Sequence, residues 1–228
     1  MTLLACERSK LSKLAVSEQK VISICDQLNL ALSWRLYQYH TVLDQPAKGE
    51  ILEELVSKAA QEAGLPNEYE PGKHTVGWDQ RIDGHRVSNK SGTLERNVGA
   101  KGQLLKWSNS IEFSGSRTTK FETLEEKLNF LSDDHYDWTL CCARILSEWE
   151  RGERIYHMIA LPPIDYTAMI WEDKKPKTGL KPKQMHTCII RNPEVYATLS
   201  KNMSSQLWNK FRPSMFLYHE KLDMSDWG

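Results

Sequence analysis

The order of periodicities in the sequence predicts one α/β domain built on a mixed β-sheet flanked by helices. Three observations lead there. Helical spacing dominates the beginning of the chain, strand-like runs with one interposed helix follow, and a further strand and helix come last. The expected parts are a helical region over about 1–65, a β-rich core over about 72–165 and a strand-and-helix part over about 166–228.

From Ser17 to about His40, Val21, Ile22, Cys25, Leu28, Leu32 and Leu36 recur on one helical face. A second helix is expected from about Ala47 to Ala63, with Ile51, Leu52, Leu55, Val56 and Ala59 on one side. Gly64 stops it, and Pro66 follows as expected for a helix exit. "NEYEPGKH" reads as a loop, "GWDQRIDGHRVSNKSG" as a hairpin, and "QLLKWSNSIEF" as a strand ending at "SGSR". "TLEEKLNFLSDD" opens with Thr123 as a cap and Glu126 at capping-box spacing. "DWTLCCARIL" and "RIYHMIALP" read as neighbouring central strands, separated by the charged "SEWERGE". Beyond them lie a lysine-rich, proline-broken loop, a short strand "MHTCIIR" and a helix over "PEVYATLSKNMSSQLWNKF". The tail past Pro213 gives no signal.

Composition narrows the function classes without choosing one. Thirty basic and thirty acidic side chains cancel over 228 residues, so any nucleic-acid surface has to be local. No apolar run approaches the ~20 residues a bilayer core requires, and no membrane partner is expected. "MTLLAC" lacks the basic leader and the ~7–15-residue apolar core of a cleaved signal. Five cysteines without a CxxC pair suit reduced thiols in a cytoplasmic protein and make no zinc site. The seven histidines show no metal-ligand spacing, and no P-loop or GxGxxG run is present.

The hairpin is the candidate site. Asp83-Gly84 supplies the two positive φ angles of a type I′ turn, pairing Ile82 with His85, Arg81 with Arg86 and Asp79 with Ser88. Strand alternation then projects Asp79, Ser88 and Lys90 from one face, with Trp78, Ile82 and Val87 on the other. A carboxylate can hold a divalent cation, and a nearby ammonium can position a water or counter charge developing on a phosphate. The bland alternative is a surface ion pair worth ~0–1 kcal/mol. Glu50 and Glu54, one turn apart on the preceding helix, could add a second acid, although acids near a helix start also suit the helix dipole.

The stretch "GEILEELV…GWDQRIDGHRVSNKSG…SIEFSGSRTTKF" resembles the core of the PD-(D/E)xK nucleases, type II restriction endonucleases in particular. Members of that family carry an acid-bearing helix and then a hairpin with Asp on one strand and (Asp/Glu)-x-Lys on the next. Asp79 matches the first acid, Ser88-Asn89-Lys90 the tripeptide and Glu50 the helix acid, over roughly Gly49 to Leu161. Gly77-Trp78 stands where Pro often precedes the Asp, and Ser88 stands where an acid is usual. Glu112, Glu95 or Glu50 could supply the missing carboxylate.

The resemblance implies a restriction-endonuclease-like fold and catalytic roles for Asp79, Ser88, Lys90 and Glu50. It further implies Mg²⁺, with Mn²⁺ substituting, on Asp79 with Glu50 or Glu112, and in-line hydrolysis of double-stranded DNA leaving a 5′-phosphate. A homodimer matching a short palindrome is the family's expectation. For DNA contacts the sequence offers Arg117 and Lys120 after "SGS", and Lys174, Lys175 and Lys177 in the basic loop. The alternatives are a non-catalytic DNA-binding or interaction protein on the same scaffold, and a repair nuclease of the same superfamily that prefers DNA ends or structures.

Overall fold

A computed structural model describes residues 16–71, 78–95, 108–117, 124–132, 136–173, 187–190, 194–200, 206–222 and 224. Helix α1 spans Glu18–His40, opened by Ser17, whose hydroxyl accepts a hydrogen bond from the Lys20 N–H at 3.2 Å and so satisfies one orphan donor of the first turn. Helix α2 spans Glu50–Glu62. Gly64 ends it with φ +72°, and the Leu65 N–H reaches back to the Ala60 carbonyl at 2.9 Å, the bond that a left-handed residue at this place makes possible. Helices α3 (Leu124–Ser132) and α4 (Leu146–Glu150) follow later in the chain.

Among the described residues eleven strands form one mixed sheet: β1 Asn67–Glu68, β2 Gln80–Ile82, β3 His85–Leu94, β4 Ile111–Arg117, β5 Trp138–Arg144, β6 Tyr156–Leu161, β7 Trp171–Asp173, β8 Thr187–Ile190, β9 Val195–Ser200, β10 Gln206–Phe211 and β11 Tyr218–Leu222. The main path runs β11-β6-β5-β3-β4-β10-β9-β8-β7, with β2 joined to β3 and β1 to β2. β3 and β5 are parallel, with α3 in the crossover between β4 and β5; the other pairs are antiparallel.

Each sheet face has its own apolar core. On one face, Ile24, Leu28, Leu32 and Leu36 of α1 and Leu52, Val56 and Ala59 of α2 pack on Ile82, Val87, Trp138, Leu140 and Cys142. On the other, Leu94, Ile111, Cys141, Ala143, Ile159 and Leu161 pack with Leu128 of α3 and Tyr166 of a short 3₁₀ turn. Alternation along β5 makes both cores possible, since Trp138, Leu140 and Cys142 face one way and Thr139, Cys141 and Ala143 the other. Among the described residues no helix is long and apolar enough to cross a membrane.

One expectation is corrected, and one silent segment gains a strand. The helix expected over 193–211 is the antiparallel pair β9 and β10. Val195, Ala197 and Leu199 alternate with Tyr196 and Thr198, so the apolar period is two and the outward residues are good strand formers. The tail past Pro213, without signal in the sequence, supplies edge strand β11, paired from Tyr218↔Ala160 to Leu222↔Tyr156. The expected cap Thr123 lies outside the described residues.

Candidate active site

The hairpin forms as its turn chemistry demands. Asp83 and Gly84 have φ +51° and +81°, and the register pairs Ile82 with His85, Arg81 with Arg86 and Gln80 with Val87. Asp83 is tied to the helical layer through an ion pair with Lys20 and through its N–H to the Pro66 carbonyl at 2.7 Å. At the base of β3, Asp137 accepts from the Arg86 backbone N–H at 2.7 Å and from its guanidinium at 2.8 Å. Burial opposes ionisation of Asp137, but the Arg86 contacts outweigh it and hold its pKa below the usual carboxylate range.

β3 is ten residues long, and two short partners share one of its edges. β2 pairs with His85, Arg86 and Val87, and β4 pairs only with Thr93 and Leu94. Along the opposite edge β5 runs unbroken beside Val87 to Thr93. Among the described residues, Ser88 to Gly92 therefore border a gap between the start of β2 at Gln80 and the β4 pairing at Thr93.

The expected polar residues meet at this gap. The Asp79 N–H still donates to the Val87 carbonyl at 2.9 Å, and its side chain then takes over from the strand. Asp79 Oδ2 accepts from the Asn89 backbone N–H at 2.6 Å, from Lys90 Nζ at 3.3 Å and from the Ser88 hydroxyl at 3.4 Å. Lys90 Nζ also donates to the Asn89 carbonyl at 2.9 Å. Carboxylate and ammonium thus satisfy the N–H and C=O that Asn89 presents to the gap. Both side chains are about four-fifths buried, with relative exposures of 22% and 19%. Such a pair interacts more strongly than a solvated one, yet still faces water on one side.

Gly92 sets how closely the strands approach here. A β-carbon on it would come within 2.9 Å of both Cys141 Sγ and the Glu112 carbonyl oxygen.

Glu50 is the first residue of α2, packed over β2 and β3. Sequence reading missed Tyr69, in the loop after β1. Its pKa is raised by burial first and then by the negative charges of Glu53, Glu54, Glu50 and Asp79. The acidic start of α2 and the hairpin carboxylate therefore act on one phenol. A lone tyrosine between two glutamates carries no motif, and only the folded chain reveals this.

Glu112 is not brought to Asp79. It stands opposite Thr93, and strand parity puts it on the sheet face away from Ser88 and Lys90. There it lies 3.7 Å from Lys210, whose ammonium is 2.5 Å from Glu95. Burial and a hydrogen bond with Glu95 raise its pKa, against the pull of Lys210. Parity does not favour Glu50 over Glu112: α2 packs on the Ile82, Val87 and Trp138 face, so neither Glu50 nor Glu112 shares the face of Ser88 and Lys90.

Among the described residues no group of three or more His, Cys, Asp or Glu side chains gathers as a metal cluster. Arg117 ends β4 but its side chain, with Lys120, Lys174, Lys175 and Lys177, lies outside the described residues. A cavity of about 600 Å³ lies elsewhere, lined by Tyr37, His40, Arg154 and Lys221 among others. Comparison of the chain with protein-family profiles, curated proteins and solved structures finds no match.

Proposed function

We propose that the protein is a Mg²⁺-dependent endonuclease of restriction type, hydrolysing double-stranded DNA at a short site on a restriction-endonuclease-like core. The observation that carries this reading is the Asp79–Lys90 pair held at the gap along β3. The donor set suits a hard cation of sparse protein ligation: Mg²⁺ is commonly held by one or two carboxylates with waters and substrate phosphates. Asp79 is the fixed carboxylate, and in this proposal Glu50 supplies the second from the start of α2, across the open edge of β3. When bound there, the cation polarises the scissile phosphate and lowers the pKa of a water.

The rest falls to the chain itself. Asp79, oriented by the Asn89 N–H, binds on its remaining lone pairs. Lys90, fixed by the Asn89 carbonyl, keeps an ammonium beside the phosphate as negative charge grows on it. Ser88 places a hydroxyl within reach of the same carboxylate and supplies orientation rather than charge. A homodimer on a palindromic site belongs to the same proposal.

One observation favours a second reading, a DNA-binding protein without catalysis. Asp79 and Lys90 already satisfy backbone groups of Asn89, which is reason enough for a fold to keep them. Metal dependence separates the two: incubation of phage and plasmid DNA with the protein in Mg²⁺, Mn²⁺, Ca²⁺ or EDTA. The nuclease cuts in Mg²⁺ and Mn²⁺, yielding discrete fragments, and is silent in EDTA. A Mg²⁺-dependent smear or end-trimming indicates a repair-type nuclease. Binding that is equal in EDTA and Mg²⁺, with DNA intact throughout, refutes the proposal.

A further inference from the structure

His157 on β6 and His219 on β11, 62 positions apart in sequence, meet on the sheet edge with His157 Nδ1 and His219 Nε2 3.1 Å apart. The register makes this diagonal contact: His219 stands opposite Ile159 and His157 opposite Lys221, so all four side chains share one face. On the other side of β6, Ala143 stands opposite His157 and leaves room beside it. Phe216 packs edge-on against the His219 ring, 5.6 Å between centroids, and fixes its orientation. The rings are 5.2 Å apart and inclined at 46°, so they are tilted and not stacked.

The separation of the two nitrogens is a bite distance. With metal–nitrogen bonds of about 2.0–2.1 Å, two nitrogens 3.1 Å apart subtend about 98° at a shared ion. That angle lies between the ~90° of an octahedral site and the ~109° of a tetrahedral one.

We propose that His157 and His219 form a chelate for one divalent ion of the imidazole-preferring class, Zn²⁺, Ni²⁺ or Cu²⁺. Among the described residues the two rings are the ligands, and water completes the coordination. The proton now shared between the two nitrogens moves to the outer nitrogen of the donating ring, so both rings stay neutral and no net proton leaves. Mg²⁺ is not a competitor, because it demands oxygen ligands. The site is independent of the Asp79–Lys90 pair and does not rest on the nuclease reading.

Calorimetric titration of the full chain with Ni²⁺ and with Zn²⁺ tests it, beside Mg²⁺ and beside His157→Ala, His219→Ala and Lys221→Gln. Cu²⁺ electron paramagnetic resonance counts the nitrogen ligands. Wild type is expected to take one Ni²⁺ or Zn²⁺ ion on two nitrogens at this pair, and any Mg²⁺ heat is the same in the histidine variants as in wild type. Each histidine variant, folded as wild type by circular dichroism, loses the chelate advantage of about tenfold or more. Lys221→Gln removes a positive charge opposite His157 and tightens binding roughly two- to fivefold. Unchanged affinity in both histidine variants would place the ion elsewhere and overturn the proposal. So would weaker binding in Lys221→Gln, or no binding by folded wild type.

Discussion

Gly92→Ala is the sharpest structural test of the gap along β3. The added methyl would sit 2.9 Å from Cys141 Sγ, 2.9 Å from the Glu112 carbonyl oxygen and 3.4 Å from Ile111 Cγ1. The carbonyl belongs to the ladder in which Glu112 faces Thr93, so it cannot withdraw without opening the short β3–β4 pairing. Overpacking of this kind costs about 1–3 kcal/mol. Alanine also stiffens the unfolded chain, which returns about 0.4–1 kcal/mol. The clash wins, and the net loss is about 1–2 kcal/mol, equivalent to a Tm lowered by roughly 2–8 °C for a chain of this size. Thermal unfolding followed by circular dichroism measures it. Adding Cys141→Ala should recover part of the loss, because it removes the side-chain half of the clash while the carbonyl remains. A Tm at or above wild type would refute the close approach of β4 to Gly92, and with it the described gap.

Other outcomes follow from the packing around α1. Tyr156 is fully buried, and its hydroxyl accepts from the Ala47 N–H at 3.0 Å and meets His40 Nε2 at 3.1 Å. Tyr156→Phe strands the buried Ala47 N–H and should cost about 1–3 kcal/mol in urea unfolding. Burial lowers the His40 pKa, with Arg154 adding to the effect and the Leu43 carbonyl and Asp44 opposing it. A histidine whose folded pKa is depressed contributes stability above its unfolded value of about 6.5 that is lost as pH falls through the folded value. Stability should therefore begin to drop as pH falls through about 6.5 and keep dropping until the lower folded-state value is passed, and the slope should be shallower in His40→Gln, as read from Tm against pH.

The hairpin was legible because its signals are local. Asp83-Gly84 permits one turn, the turn fixes the register, and the register places Asp79, Ser88 and Lys90 on one face. Gly64 marked the end of α2 for the same reason, since a left-handed residue is needed there. The neighbouring strands β5 and β6 were legible from their apolar runs, being buried on both faces.

What escaped depended on partners distant in sequence. In 193–211 the residues Leu199, Leu207 and Phe211 satisfy a helical count as readily as an alternating one, and pairing of β10 with β4 decides the matter. β11 is five residues with three exposed side chains, and its strand character comes from β6. Glu112 read as a plausible ligand because parity across β3 and β4 depends on a register that the sequence does not reveal. Tyr69 and the His157–His219 pair carry no spacing signal, being assembled by the fold.

The central claim is that Asp79 and Lys90 act on a phosphodiester and do not merely finish the edge of β3. Its most direct test is digestion of phage and plasmid DNA in Mg²⁺ by wild type, Lys90→Met and Asp79→Asn, with unfolding free energies measured on the same preparations. Both substitutions keep side-chain bulk; the amide introduced by Asp79→Asn keeps an oxygen for the Asn89 N–H and should cost about 1 kcal/mol, while Lys90→Met strands the Asn89 carbonyl and should cost about 1–3 kcal/mol. The account predicts discrete fragments from wild type and at least about a hundredfold loss of cleavage in both stable variants, a barrier change of about 2.7 kcal/mol or more. Cleavage retained by both variants, or intact DNA from folded wild type across metals and substrates, would contradict it.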